Sequence, residues 1–566
     1  MFLSPVLSQT SGEFDNITNK KRVDEGYSEK NLKSSGYWNL EFKIHIDNNW
    51  SETKATYNWC SGSGTWSDPY VIENVTVNGG NSGSPILIEN SNVYFRIKNC
   101  TVYNSSSGIF PIYEGGIKVV NVTKGVIINN IAFNNQIGIL LYNSENNTLS
   151  GNKANNNTDS GILLAESNNN LVWENTANYN IDSTGNSSFG INLYLSNNNT
   201  ISGNTVENNN GEGIILEGSD RNTLSGNTAN NNNGRGIYLS ISDNNTISGN
   251  IVNYNFKSGI YLYFSENNSV SGNFANQNNN NGIYLYYSEN NTLSGNFANN
   301  NDYGIYLDNS DDNLVWGNIV NNNDEEGIRL YLSNKNNISE NIANHNIRFG
   351  ILLEESNINL VWGNTANYNI GGIWLYDLSN KNTILGNTVN NNNGVGILLI
   401  FGNKNNFSEN IANNNKRSGI ILEGSDNNTL SGNTANNNEM SGMDLLSSDN
   451  NNLSGNKANN NKESGIYLYY SENNTLSGNF ANNNYYGINL AASNFNNITE
   501  NTLFDNNICY SEDETSIGNT FKNNICVKVE PREDDWIISG VIGIIIALII
   551  LIGLSVLYWQ FKRKVK

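Results

Sequence analysis

Proline is nearly missing from this chain, with five in 566 residues and none between Ile112 and Glu530. A stretch of that length without proline can run continuous backbone ladders, because every residue keeps its N–H donor. Charge is also scarce. Charged residues make up 15%, and 52 acidic side chains against 31 basic ones leave a net charge of −21. So acidic a surface argues against nucleic acid as a partner, since phosphates need cations. The Gly-x-y period of collagen and the Ala, Glu, Lys and Leu runs of a coiled coil are both missing. Disorder is disfavoured by the 10% aromatic content and by apolar residues that recur in phase. What fills the chain instead is asparagine, 126 residues or about 22%.

Cysteine is confined to the ends, Cys60 and Cys100 before the repetitive region and Cys509 and Cys526 after it. Pairing within each end is the expectation in an oxidising compartment, two staples closing ends that would otherwise fray. Four free thiols are the alternative.

Long hydrophobic runs are missing except for one. Ile537 to Leu557 is a run of 21 residues without a charge, about 30 Å as a helix, which matches the hydrocarbon thickness of a bilayer. Glu530, Glu533, Asp534 and Asp535 precede it, and Lys562, Arg563, Lys564 and Lys566 follow it, with Trp536, Tyr558 and Trp559 at interface depth. This asymmetry predicts a single-pass helix with the bulk of the chain outside the cell membrane and a cytoplasmic tail. An exported chain is expected to begin with a signal peptide, yet Met1 to Gly12 offers only a short apolar stretch with no basic start, as if the leader were clipped.

The repetitive region is built on two motifs in lockstep. The tetrad Gly-[Ile/Met]-x-[Leu/Val] begins seventeen times from Gly116 to Gly487, at intervals of 22 to 24 residues except for 29 between Gly161 and Gly190, where Ile181 to Ser188 reads as an inserted corner loop. The Asn of Ser-Gly-Asn or a variant follows in phase from Asn152 to Asn501. In a copy such as Gly282 to Asn299, apolar residues alternate as Ile283, Leu285, Leu293 and then Ala298, the pattern of short strands. Asn, Gly and Ser between them supply corners, because Asn and Gly tolerate left-handed backbone angles. The expected fold is all-β, a single right-handed parallel β-helix of about 19 windings plus one C-terminal transmembrane helix. No winding buries its inner face alone, so stacking must supply the core, and the Ser-Gly-Asn amides are expected to hydrogen-bond from winding to winding. A leucine-rich repeat is the competing solenoid, at a period inside its range, but the Asn-Asn-Asn segment that ends each copy has no apolar pair to anchor a helix.

These motifs resemble the NosD-like, pectin-lyase-type right-handed β-helix repeats, over roughly Asp68 to Val527. Asp68-Pro69-Tyr70-Val71-Ile72-Glu73-Asn74, with Ile86 to Glu89 and Val93 to Cys100, is similar to the opening windings of archaeal surface proteins of this type that carry a C-terminal anchor. Some members mature copper enzymes, but His45, His345 and three Met are too few and too scattered to support copper. Others are polysaccharide lyases, hydrolases or epimerases. Arg96-Ile97-Lys98 resembles the Arg-x-Lys of polygalacturonases, without the His-Gly and Asp-Asp partners, and reads as an outward basic pair.

When Ile and Leu of the tetrad face in, the intervening positions face out as two columns. The first carries Tyr238, Tyr261, Tyr284, Tyr306, Arg329, Leu352 and Trp374, and the second Tyr263, Tyr286, Asp308, Tyr331, Glu354 and Tyr376. Tyr238, Tyr261, Tyr284, Tyr306 and Trp374 are candidate glycan-stacking residues, although aromatics stacked along a solenoid also stabilise it with no ligand. Asp308, Arg329 and Glu354 are the catalytic candidates, two carboxylates and a guanidinium on adjacent windings, as sugar-acid chemistry needs. The acidic run Asp302, Asp308, Asp311, Asp312, Asp324, Glu325 and Glu326 offers ligands to Ca²⁺, with solvated corners as the plainer explanation. Trp173, Trp316 and Trp362 take an outward position on another face.

The chain thus divides into an N-terminal segment and cap over 1–58, irregular windings over 59–115, and regular repeats over 116–505. A cap and stalk over 506–535, the membrane helix over 536–559 and a basic tail over 560–566 follow. The expectation is a membrane-anchored exterior β-helix serving structure, adhesion or glycan binding. A carbohydrate-active enzyme on the same fold, or a leucine-rich-repeat-like binding solenoid, are the alternatives.

Overall fold

The computed structural model describes residues 38–108, 113–182 and 187–528. They wind into one parallel β-solenoid whose first sheet, made of the tetrad strands, stacks twenty strands from Ile44–Asp47 to Ile508–Glu512. At the usual strand separation of about 4.8 Å that is a rod roughly 90 Å long. Among the described residues the one helix is Trp50–Thr56. The leucine-rich alternative falls with it, because the Asn-rich end of each copy runs as a third line of parallel bridges, Phe274 to Phe297 to Ile319, and not as a helix.

One winding explains the rest. Strand Asn281–Tyr286 lies in the first sheet and Thr292–Ser294 in the second. Ile283 sits in register between Ile260 and Ile305, and Leu293 between Val270 and Val315. Four residues turn the chain with left-handed backbone angles, Tyr287, Asn290, Gly295 and Asn300, at φ of 47°, 55°, 60° and 57°. Each swings its successor inward, so that Ser288, Asn291, Asn296 and Asn301 are as buried as Ile283, Leu285, Leu293 and Ala298. Half of the inward-facing side chains are therefore polar. Burying them is tolerable only because each is hydrogen-bonded to its neighbours above and below.

The expected Ser-Gly-Asn ladder is present: Asn273 Nδ2 donates to Asn296 Oδ1 at 3.0 Å, and Asn296 Nδ2 to Asn318 Oδ1 at 2.9 Å. Three further ladders run beside it, through Asn291 to Asn313, through Asn301 to Asn323, and through Ser288, whose N–H donates to Ser310 Oγ. The 29-residue interval leaves this frame intact. Ile162 still faces Ile191, and Asn180 Nδ2 still reaches Asn209 Oδ1 at 2.9 Å, so the extra residues do not shift the register of the windings.

At the amino-terminal end Trp50 closes the bore. Its ring lies flat on Tyr70 with centroids 5.2 Å apart, and its Nε1 donates to Ser91 Oγ. At the other end Cys509 and Cys526 form a disulfide with Cα atoms 5.9 Å apart, which ties the last windings together as expected. The matching staple at the first windings is absent and that expectation is corrected: Cys60 and Cys100 are buried free thiols. Cys60 faces Ile72 from a two-residue antiparallel strand, whereas Cys100 turns at the corner after Lys98 and donates its thiol to the carbonyls of Lys98 and Ile72. Burial pushes the two thiols up, to about 11 and about 12, so both stay protonated. No helix among the described residues is long and apolar enough to cross a membrane, and Ile537 to Leu557 lies outside the described residues.

Candidate functional site

The outward face of the first sheet gathers most of the chemistry. Tyr238, Tyr261, Tyr284 and Tyr306 stack face to face, with successive centroids 5.2, 4.8 and 5.1 Å apart. In-register parallel strands impose this geometry, because equivalent side chains repeat at the strand spacing. The stack is capped by cations at both ends. Arg235 lies 4.5 Å over Tyr238 and 4.4 Å over Tyr261, and Arg329 lies 5.2 Å from Tyr306. Tyr261 is only 7% exposed, so the middle of the stack belongs largely to the protein itself. The accessible rings lie beside it: Tyr263 stacks on Tyr286, and Phe264 and Tyr287, 46% and 42% exposed, stack 4.9 Å apart. Trp374 is not part of this strip. Arg329 and Leu352 intervene in its column, and its ring lies on Phe349 at 4.1 Å.

Of the catalytic candidates, Arg329 and Glu354 meet, with Arg329 Nη2 donating to Glu354 Oε2 at 2.6 Å. Asp308 is engaged elsewhere, accepting from Tyr284 Oη at 3.0 Å and Asn309 Nδ2 at 2.8 Å. Tyr331 separates Asp308 from Glu354 in their column, which puts the two carboxylates two windings apart. Beneath this cluster lies Glu326, with no exposed surface and neither oxygen hydrogen-bonded; Arg348 Nη1 is its ionic neighbour at 3.5 Å. Burial raises the Glu326 carboxyl to about 7, against the pull of Arg348 and Arg329. Burial works against the Arg329 charge too, yet Tyr306, Glu326 and Glu354 together hold its pKa above the ordinary value.

A pH effect follows from Glu326. Between its ordinary value of 4.5 and about 7 the folded chain holds a proton that the unfolded chain has lost, so this group's contribution to stability falls as pH rises through that window. Glu326→Gln removes the penalty. Denaturant melts should show the variant more stable by on the order of 2 kcal/mol well above pH 7, and equal to the parent below 4.5. Equal stability at alkaline pH would contradict the burial of an ionisable carboxyl here.

The acidic run divides among three places. Asp311 Oδ1 accepts from the Asn334 N–H and Asp312 approaches Lys335 at one corner, Glu325 pairs with Arg348 at 2.7 Å at another, and Asp308 lies on the first sheet. Trp173 and Trp316 stand exposed on the second sheet in separate windings, and Trp362 is partly covered two windings beyond Trp316. Arg96 is exposed and Lys98 pairs with Glu73 at 2.7 Å.

One feature escaped the residue pattern. Over the windings before Tyr238 the same outward face opens into a cleft of about 680 Å³, lined by Tyr113, Asp159, Asp182, Asn192, Tyr194 and Glu217 among others. Asp182 and Ser187, from the insertion that the 29-residue interval announces, are among its lining residues. The interval was legible as an insertion, but nothing in the repeat showed that Asp159 and Glu217, one before a tetrad and one after, would line one cleft. Burial raises the Asp159 carboxyl, aided by Asp182, and burial with Glu212 does the same for Glu217.

Fold and face together define a right-handed parallel β-helix with an aromatic and charged outward sheet. A family model described as periplasmic copper-binding protein (NosD) matches residues 257–416 and 399–546, and one described as right handed beta helix region matches residues 44–183 and 179–275. The chain belongs to the NosD family of β-helix repeat proteins. No curated protein matches it. Among solved structures it is similar to the Dettilon tailspike protein, at 17% identity and a TM-score of 0.36, covering 49% of this chain and 60% of that one. It is also similar to the periplasmic alginate epimerase AlgG (14%, 0.24, covering 86% and 84%) and to an alginate lyase from Paenibacillus (13%, 0.30, covering 46% and 94%). At such identities these likenesses concern the fold alone, and the chain spans less than two thirds of the tailspike's length.

The donors present do not fit copper. His45 is held by Glu89 at 2.7 Å on the first winding, while His345 lies flat against Tyr368 far along the rod. Both free thiols are protonated, and among the described residues no three of His, Cys, Asp or Glu converge to hold a metal ion.

Proposed function

We propose that this chain is an exterior rod, anchored by Ile537 to Leu557, that holds a glycan along the outward face of its first sheet. The observation that carries this reading is the aromatic strip. Tyr263, Tyr286, Phe264 and Tyr287 present accessible ring faces and phenol hydroxyls beside a rigid stack capped by Arg235 and Arg329. Flat rings with a polar tip suit the apolar faces and hydroxyl rims of sugars. A charge-free run of bilayer length, acidic before and basic after, supports the exterior placement.

The test is a glycan array probed with the full chain. Binding to at least one glycan class is expected, and Tyr286→Ser combined with Tyr287→Ser should abolish it without moving the thermal melt. Binding unchanged alongside a lowered melt would make the rings a structural ladder and reject the reading. On intact cells an impermeant amine label should reach the exposed Lys257 and Lys416; labelling only after lysis would reject the exterior placement.

A further inference from the structure

The cleft over the earlier windings has a chemistry of its own. Among the described residues that line it there is no Lys, Arg or His, while Asp159, Asp182 and Glu217 are all present. We propose that this cleft binds an oligoamine, protonated primary amines carried on linked sugar rings or a short chain, with Asp159 and Glu217 as counter-ions to separate ammonium groups and Asn192 as a hydrogen-bond acceptor.

Asn192 is the second, independent observation. It stands in the first outward column, only 8% exposed, and its Oδ1 has no hydrogen-bond partner. A buried acceptor left unmet is destabilising, so a ligand that donates into the cleft recovers what the protein alone gives up. Two cations on nearby windings are committed elsewhere. Arg235, in the next winding, is engaged by Glu212 at 2.9 Å and by the faces of Tyr238 and Tyr261, and Lys118 pairs with Glu114 at 3.7 Å. Carboxyls raised by burial and by acidic neighbours regain their charge once an ammonium sits beside each of them.

The shape selects an organic cation over a metal ion. Among the described residues no three carboxylates converge, whereas Leu163 and Ala165 floor the cleft and the rings of Tyr113, Phe189 and Tyr194 stand at its sides. Ring faces attract ammonium groups and cover a carbon skeleton at the same time. Glycan binding by the tyrosine strip uses different windings and different residues, so the two sites stand or fall separately.

The experiment is calorimetric titration of the full chain with a glucosamine tetramer, its fully N-acetylated counterpart, and spermidine. Saturable binding of the free-amine tetramer is expected, with the acetylated form failing to bind. Asp159→Asn and Glu217→Gln, both close in shape to the parent residues, should each weaken it about tenfold or more, the loss of one charge-assisted contact. Spermidine binding as well would show that the ammonium suffices, and its failure would show that the ring is read too; both support the site. Equal binding of acetylated and free tetramers overturns the proposal, as does no saturable binding of any amine. So does binding that both variants leave unchanged, which would be diffuse attraction to the chain's net charge. Tyr286→Ser with Tyr287→Ser should leave this titration untouched, and Asp159→Asn should leave the glycan array untouched, so failure of one reading is distinguishable from failure of the other.

Discussion

Asn296→Ala should cost about 4–6 kcal/mol and split the unfolding of the rod into two transitions. Asn296 is fully buried in the middle of the Ser-Gly-Asn ladder. Its Oδ1 accepts from the backbone N–H and the amide of Asn273, both at 3.0 Å, and its Nδ2 donates to Val270 O and Asn318 Oδ1, both at 2.9 Å. Alanine deletes all four contacts. It leaves the Asn273 N–H without a partner where water has no access, a desolvation cost of about 1–3 kcal/mol, and takes one of the donors from the Val270 carbonyl. In a solenoid each winding touches only its neighbours, so the weak point uncouples the two halves instead of lowering one global transition. Urea melts followed by circular dichroism read this directly. Asn296→Asp provides the control for shape: it keeps the acceptors and loses the donors, and it should be at least as damaging. A single transition shifted by less than about 1 kcal/mol in both variants would show that the ladder carries little of the stability.

The ladder also shows where sequence reading succeeds and where it stops. Ser-Gly-Asn announced itself because a recurring triplet frames the Asn, and the tetrad announced the first sheet because Ile283 and Leu285 alternate with outward tyrosines. The other three inward ladders were hidden in plain sight. Asn291 and Asn301 sit in runs of identical residues, Glu-Asn-Asn and Asn-Asn-Asn, in which one Asn takes the left-handed angle and the next turns inward. Identity of residue type conceals that alternation, and only backbone geometry separates the two roles. The site was legible to the same degree. Columns could be listed from the strand period, so the tyrosine stack and the contact between Arg329 and Glu354 were within reach. The amine cleft was not, because Asp159 and Glu217 come from windings separated by the insertion, and Asn192 looks like any other Asn in a chain with 126 of them. The free state of Cys60 and Cys100 was out of reach for a similar reason. Both belong to end windings, but which corner each occupies depends on an antiparallel strand that no repeat predicts.

Two glycines of one winding should respond unequally to substitution, and the larger response is expected at Gly282. Gly282 opens the tetrad, and a methyl group there would stand 2.6 Å from Ala298 Cβ, 2.7 Å from the Gly304 carbonyl oxygen and 2.8 Å from Asn301 Nδ2. None of these can retreat: Ala298 is core, Gly304 is backbone of the next winding, and the Asn301 amide is fixed by Ala275 O at 2.9 Å. Overpacking of this kind costs about 1–3 kcal/mol, and forcing the ladder amide off its acceptor adds about as much again, so Gly282→Ala should lose about 3–5 kcal/mol. Gly295 is needed for another reason. It turns the corner at φ 60° with nothing within 4 Å of a would-be Cβ. Asn tolerates that angle, and Asn129 and Glu340 already take the equivalent position in other windings at φ of 56° and 53°. Gly295→Asn should therefore change stability by less than about 1 kcal/mol. Paired urea melts of the two variants measure both. Similar losses at the two positions would mean that backbone angle alone governs the glycines, and the tight inner corner would lose its place as the reason the tetrad begins with Gly.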